Sequence, residues 1–154
     1  MFDSEEVAFK IKNTNKKIIF LVGDFENFSA YNFAIDNNYS YLDFNEFLLE
    51  NKIDSSYFKG SDSIGSVKIK ISIDDWTRKI AYKEQKGTII IDGYNPSKIP
   101  DLLAKNLLMQ ELLYLAKNEN RLNSTLVFVI NINYGSIDQQ IPAKIIQNSA
   151  VILF

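Results

Sequence analysis

Three uninterrupted apolar runs constrain the fold of this chain more than any other feature. They cover residues 18–22, 89–91 and 126–130, and the strands predicted from them span residues 18–22, 88–91 and 125–132. A strand with one face in water alternates apolar and polar residues. An uninterrupted run is instead typical of a strand that is buried on both faces of a parallel sheet. The sequence therefore predicts a sheet whose central strands are covered from both sides.

Segments with helical character separate these strands. Helices are predicted at residues 3–12, 29–37, 44–52, 74–86, 100–118 and 141–148, and further strands at 39–43, 67–71 and 150–154. Strands that alternate with helices favour a parallel sheet with helices on both faces. We expect a three-layer α/β sandwich with a mostly parallel sheet of five or six strands, and a helix at 100–118 that is buried on two sides. The length of 154 residues suits one domain, residues 1–154, in which residues 1–15 form an N-terminal helical extension.

The composition removes several classes of chemistry. The chain has no cysteine and no histidine, which excludes disulfides, thiolate nucleophiles, Cys-ligated zinc and Ser-His-Asp triads. Its net charge of −2 creates no global field that would attract nucleic acid or anionic lipid. The N-terminal ten residues do not resemble a signal peptide, and the longest apolar run is too short to span a bilayer. We therefore expect a cytoplasmic protein with no membrane contact.

The segment that follows the first apolar run is the first candidate for a functional loop. In an open parallel sheet, ligands bind beyond the carboxyl ends of the strands. A phosphate-binding loop has the pattern G-x-x-x-x-G-K-[ST], in which lysine neutralises phosphate and the hydroxyl holds Mg²⁺. Gly23 matches the first glycine, but Phe28 replaces the second glycine, Ser29 replaces the lysine and Ala30 replaces the Ser/Thr. The spacing of the pattern is present, whereas the groups that bind phosphate are absent.

Other segments extend this comparison over most of residues 16–154. The strand that ends at Asp92 is similar to a Walker-B strand, and Asn131 and Asn133 occupy the place of a polar sensor. The chain thus resembles a P-loop NTPase of the RecA-like branch with a degenerate Walker A loop. Its size and residues 39–49 are loosely similar to the accessory P-loop protein of BREX phage-defence systems.

The loop after the first apolar run also carries two carboxylates and two aromatic residues, which bear on the function that this resemblance implies. Asp24 and Glu26 place negative charge where a phosphate would bind at the helix N-terminus. We therefore expect a non-catalytic binding or scaffolding subunit of a DNA-related or phage-defence assembly, which has lost ATP hydrolysis and needs no cofactor. Phe25 and Phe28 either fold inward or contact a partner, so a protein partner or self-association is expected.

An enzymatic alternative starts from the same loop. Residues 24–27 are similar to the D-x-E-N stretch of NYN/PIN-type ribonucleases, which hold Mg²⁺ or Mn²⁺ with carboxylates at the strand ends. In this alternative Asp24, Glu26, Asp62 and Asp92 form the catalytic cluster, with Asp24 and Asp92 as metal ligands. An ordinary strand–helix turn capped by Asp24 or Asn27, and a turn at Asp92, also remain open.

Nucleic-acid contact depends on a third segment. Basic residues there either form a face for nucleic acid or belong to a solvated helix and edge strand: Lys68, Lys70, Arg78, Lys79 and Lys83. Trp76 on the same predicted helix is either a core residue or an interface anchor. Nucleic acid is therefore a possible partner that the sequence does not require.

Overall fold

The computed structural model describes residues 3–24, 28–44, 87–93, 102–134 and 140–154. Several expectations lie outside these residues. They concern Phe25, Glu26, Asn27, Asp62, Trp76, the basic residues between 68 and 83, most of the helix at 44–52, the strand at 67–71 and the helix at 74–86.

The described helices and strands begin and end within one or two residues of most predicted bounds. They are α1 Ser4–Asn13, β1 Ile18–Gly23, α2 Ala30–Asp36, β2 Ser40–Asp43, β3 Gly87–Asp92, α3 Leu102–Lys117, β4 Ser124–Asn131, α4 Ala143–Gln147 and β5 Ala150–Leu153, with short 3₁₀ turns at Glu119–Arg121 and Ile132–Tyr134.

The strands form a five-stranded sheet in the order β2-β3-β4-β1-β5, and every pair in it is parallel. This confirms the expected α/β fold with a parallel sheet. In the two common doubly wound orders, the first strand pairs with the second. Here β1 pairs with β4 and β5, and β2 lies at the opposite end of the described sheet. One strand, β4, therefore separates β1 from β3.

Each face of the sheet has its own apolar core. Alternate residues of a strand point to opposite faces, so Phe20 and Phe128 pack under α3 and α4, with ring centroids 5.6 Å apart. Ile19 and Leu21 point the other way, under α1 and α2. Burial of a side chain of this size stabilises the fold by about 1.5–3 kcal/mol, which explains why β1 is apolar throughout.

Local sequence sets the ends of the two helices on the α1–α2 face. Asp3 caps α1, since its Oδ1 accepts hydrogen bonds from the backbone N–H groups of Glu5 and Glu6 at 3.1 and 3.2 Å. Helix α2 ends at Asp36, and Asn38 follows in the left-handed region with φ of 58°. Asparagine tolerates that conformation better than most residues, so the chain turns there into β2.

The C-terminal half of α3 is buried along one broad face. Its buried side chains Leu112, Leu115 and Ala116 lie on that face, and Tyr114 is exposed on the other. The expected burial on two sides depends also on residues 102, 103, 107 and 108, whose side chains lie outside the described part of the chain. No helix in the described part of the chain is long and apolar enough to cross a membrane.

Candidate functional site at the carboxyl edge of the sheet

The most constrained position at this edge is Gly23, the last residue of β1. A Cβ added there would lie 2.7 Å from two ring carbons of Phe154 and 2.7 Å from the Phe154 carbonyl oxygen. Phe154 is held in place because its N–H donates a hydrogen bond to the Val22 carbonyl oxygen at 3.0 Å. Close packing against Phe154 thus requires glycine at position 23. This requirement does not depend on a phosphate-binding role.

Phe28 continues this aromatic packing. Its ring centroid is 5.0 Å from that of Phe154 and 5.8 Å from that of Phe33 on α2. We call Phe28, Phe33 and Phe154 the aromatic cluster. Of the two roles that the sequence left open for Phe28, the described contacts show the inward-folded one. The side chain at the position of the second glycine therefore packs against Phe154, the residue that covers Gly23.

The residues at the lysine and hydroxyl positions also have structural roles. Ser29 is the N-cap of α2, and its hydroxyl oxygen accepts a hydrogen bond from the Asn32 N–H at 3.2 Å. Ala30 is buried in the core of the α1–α2 face. Helix α2 is therefore capped by Ser29, whereas the sequence suggested Asp24 or Asn27. A serine in this role supplies an acceptor to the helix and no cation for an anion.

Asp24 and the two asparagines meet beyond the end of the sheet. Gly23 pairs with Asn131 across β1 and β4. The Asn133 side-chain amide donates to Asp24 Oδ1 at a long 3.4 Å, and the Asn133 backbone N–H donates to Asn131 Oδ1 at 2.9 Å. The structure thus brings Asp24, Asn131 and Asn133 together, with Asp24 exposed.

Asp92 lies in a different environment. One carboxylate oxygen accepts a hydrogen bond from the Tyr41 hydroxyl at 2.8 Å, and the other accepts one from the Gly93 N–H at 2.8 Å. Gly93 has a positive φ of 70°, so the chain turns directly after β3, as the sequence suggested. Asp92 also pairs in register with Asp43 at the end of β2. Both oxygens of Asp92 thus have hydrogen bonds that hold the strand end and the turn.

The sheet separates Asp92 from Asp24. Ile91 pairs with Phe128, whereas Gly23 pairs with Asn131 three residues further along β4. With strands about 4.8 Å apart and a rise of about 3.3 Å per residue, the Cα atoms of Gly23 and Asp92 are roughly 12 Å apart. Among the described residues, no group of three or more His, Cys, Asp or Glu side chains has metal-site geometry.

Tyr39 lies just before β2. Its hydroxyl is buried and has no hydrogen-bond partner among the described residues. Burial raises the pKa of Tyr39 above its ordinary value of 10.0, because a phenolate would lose hydration there. Its ring packs on Phe33 with centroids 6.0 Å apart. Tyr39 is therefore an extension of the aromatic cluster.

Three residues of this edge were not singled out from the sequence. Phe154 covers Gly23, Tyr41 donates to Asp92, and Asp43 lies beside Asp92. The pairing of residues 39–43 with residues 88–92 was not assigned from sequence, and that register alone would have found Tyr41 and Asp43. A scan against protein-family models and a search of curated proteins find no match to this chain.

Proposed function

We propose that this chain is a non-catalytic, P-loop-like binding or scaffolding subunit that has lost ATP hydrolysis. One observation carries the proposal: the space beside Gly23 is filled by Phe154, whose ring packs against Phe28, instead of being left open for a phosphate. A phosphate loop works because backbone N–H groups converge on an anion and because a lysine neutralises its charge. Here aromatic carbon occupies the position next to the first glycine.

The position of Ser29 supports the same proposal. Its hydroxyl oxygen already accepts the Asn32 N–H of the first turn, which is one of the donors that an anion at a helix N-terminus would use. Binding ATP would have to displace this cap, move Phe28 and bring the anion near Asp24. Each of these changes costs free energy, and no cation among the residues at these motif positions compensates for them.

The order of the strands supports the P-loop-like part of the proposal. Strand β4 lies between β1, which ends in the altered loop, and β3, which ends in Asp92. This places Asn131 beside Gly23 and between the two strand ends, the location that suits a polar sensor in a RecA-like arrangement. The DNA-related or phage-defence setting comes from the similarity of residues 39–49 to the BREX accessory protein and is proposed on that ground.

Calorimetric titration with Mg-ATP tests the loss of nucleotide binding. We expect no saturable heat up to millimolar nucleotide for the wild type. The variant Phe154→Ala is the informative comparison, since it removes the ring and keeps the Phe154 carbonyl oxygen near Gly23. It should also fail to bind, because Ser29 still stands at the lysine position and Ala30 at the position of the Mg²⁺-binding Ser/Thr. Saturable micromolar binding by the wild type would overturn the proposal.

An RNA cleavage assay tests the nuclease alternative separately. RNA is incubated with the protein and Mn²⁺, and the wild type is compared with Asp24→Asn and with Asp36→Asn, which changes an exposed aspartate at the end of α2. The proposal expects no cleavage by any of the three. Cleavage that Asp24→Asn abolishes and Asp36→Asn preserves would replace the scaffold function by the metal-dependent ribonuclease.

A further inference from the structure

Strand β5 forms one edge of the described sheet and presents an apolar edge without charge. It consists of Ala150–Leu153 and pairs with β1 on one side, and no described strand pairs with its other side. Soluble proteins usually protect such an edge with a charged residue, a proline or a bulge. Here Val151 is 39% exposed and Leu153 is 68% exposed. The edge therefore has the character of a strand that another strand covers.

The direction of the backbone groups makes this edge available for pairing. The Phe154 N–H points toward β1, where it donates to the Val22 carbonyl oxygen. Successive peptide groups of a strand point to opposite sides, so the N–H and C=O groups of Val151 and Leu153 point away from β1. The same residues carry the exposed side chains. Backbone hydrogen-bonding capacity and apolar surface thus coincide on two residues.

We propose that β5 pairs in antiparallel orientation with β5 of a second copy of this chain. A two-fold axis normal to the sheet would pass near Ile152 and join two five-stranded sheets into one. Val151 would lie opposite the second copy's Leu153, and each such pair would exchange two backbone hydrogen bonds. The Val151 side chain of each copy would cover the Leu153 side chain of the other copy. The apolar edge would then no longer be exposed.

Charge complementarity on α1 selects a second copy as the occupant. Helix α1 packs against β5, and the two-fold axis would place it antiparallel to its mate. Its first turn is acidic, with Glu5 and Glu6, and its last turn is basic, with Lys10 and Lys12. Glu6 and Lys10 share one flank, where they form an ion pair of 3.2 Å. Glu5 and Lys12 are seven residues apart, which is about two helical turns, so they share the other flank of α1. Either flank would bring glutamates of one copy to lysines of its mate.

The size of this interface sets the conditions of its test. Two strands of four residues and one helix flank per copy form a small contact, which belongs to the weak class below about 1,200 Å². The dimer is therefore expected to form at high micromolar protein concentration, whereas at nanomolar protein concentration the chain should be monomeric. This inference does not depend on the altered loop after β1, so ATP binding would overturn the proposed function and leave the dimer untouched.

Sedimentation equilibrium up to about a millimolar tests the edge pairing, since weak dimers lie in this range. The wild-type mass should rise toward twice the monomer mass. Val151→Pro removes an N–H that points away from β1, and Leu153→Lys adds an edge charge, so each should weaken association at least tenfold. Ile35→Lys changes a similarly exposed residue on α2 and should dimerise like the wild type. A wild type that stays monomeric, or a folded Leu153→Lys chain that dimerises normally, would overturn the proposal.

A charge-sorting experiment tests the helix contact and the identity of the partner. The double variant Glu5→Lys/Glu6→Lys has a basic α1, and Lys10→Glu/Lys12→Glu has an acidic one. Each should associate at least tenfold more weakly with itself than the wild type does, and an equimolar mixture should recover wild-type association. Circular dichroism of each variant checks that it is folded. Self-association that neither variant changes, or a mixture that does not associate, would contradict the arrangement.

Discussion

The ring of Phe154 lies so close to Gly23 that no other residue fits there without movement. A Cβ on Gly23 would be 2.7 Å from the ring and from the carbonyl oxygen of Phe154, and real Cβ contacts are longer. The carbonyl oxygen belongs to backbone that is itself hydrogen-bonded to Val22. Relief would therefore require the end of β5 to shift away from β1.

Substitution of Gly23 by alanine should destabilise the protein by about 1–3 kcal/mol, the usual cost of overpacking. Gly87→Ala is the matched control, because a Cβ there meets nothing within 4 Å and the residue is also in a strand. It should be neutral or more stable by about 0.5 kcal/mol, since alanine loses less backbone entropy than glycine. Urea denaturation measures both. Equal effects of the two substitutions would contradict the packing role of Gly23.

The contact between Phe28 and Phe154 should be visible as energetic coupling. A double-mutant cycle of Phe28→Ala and Phe154→Ala should give an interaction energy of about 0.5–1.5 kcal/mol. The control cycle pairs Phe154→Ala with Tyr114→Ala on α3, which packs on the opposite face of the sheet. Those two effects should add within about 0.5 kcal/mol. Additivity in the first cycle would show that the aromatic cluster does not form.

The hydrogen bond from Tyr41 to Asp92 should contribute to the stability of the fold, and Asp92 should not bind a metal ion. Tyr41→Phe should cost about 1 kcal/mol, and Asp92→Ala about 1–3 kcal/mol because it also loses the hydrogen bond from the Gly93 N–H. Their double variant should cost less than the sum, because both remove the hydrogen bond between the Tyr41 hydroxyl and Asp92. Millimolar Mn²⁺ should leave the wild-type melting temperature unchanged. An ion present at a hundredfold excess over its dissociation constant would add about 2.7 kcal/mol, so a clear rise in the wild type that Asp92→Asn abolishes would assign metal binding to Asp92.

The buried hydroxyl of Tyr39 predicts a dependence of stability on alkaline pH. Burial raises the folded-state pKa above the unfolded value of 10.0, so the unfolded state releases its proton first. The contribution of Tyr39 is complete below pH 10 and is lost as the pH rises through the folded-state pKa. Tyr39→Phe should remove this part of the pH slope in urea denaturation between pH 8 and 11. Tyr31→Phe, at an exposed tyrosine, is the control and should keep the wild-type slope.

Local sequence patterns were sufficient to predict the parallel sheet. They were not sufficient to predict which side chains meet at its carboxyl edge. The apolar runs at 18–22 and 126–130 predict buried strands because burial on both faces removes polar residues from a strand. The first residue of α1 follows from Asp3 at the cap position. These effects act within a few residues, so one sequence contains them.

The candidate site depends on contacts between distant residues. The sequence singles out Gly23 as the first glycine of a phosphate loop, whereas its packing partner Phe154 directly follows β5, whose position beside β1 is a property of the whole sheet. Tyr41 and Asp92 meet because β2 and β3 pair in one particular register. Neither fact leaves a periodic signal in the sequence. The clustering of Asp24 with Asp92 was a hypothesis about such a register, and the described sheet places β4 between their strands.

Nuclear magnetic resonance of the loop after β1 shows whether Phe154 occupies the space beside Gly23 when nucleotide is present. Nuclear Overhauser effects are recorded between the Gly23 α-protons and the Phe154 ring, together with the amide shifts of Gly23, Ser29 and Ala30, without and with millimolar Mg-ATP. We expect strong Gly23–Phe154 effects in both samples and unchanged amide shifts. Loss of those effects together with saturable shifts of the three amides would show that the loop opens and binds nucleotide.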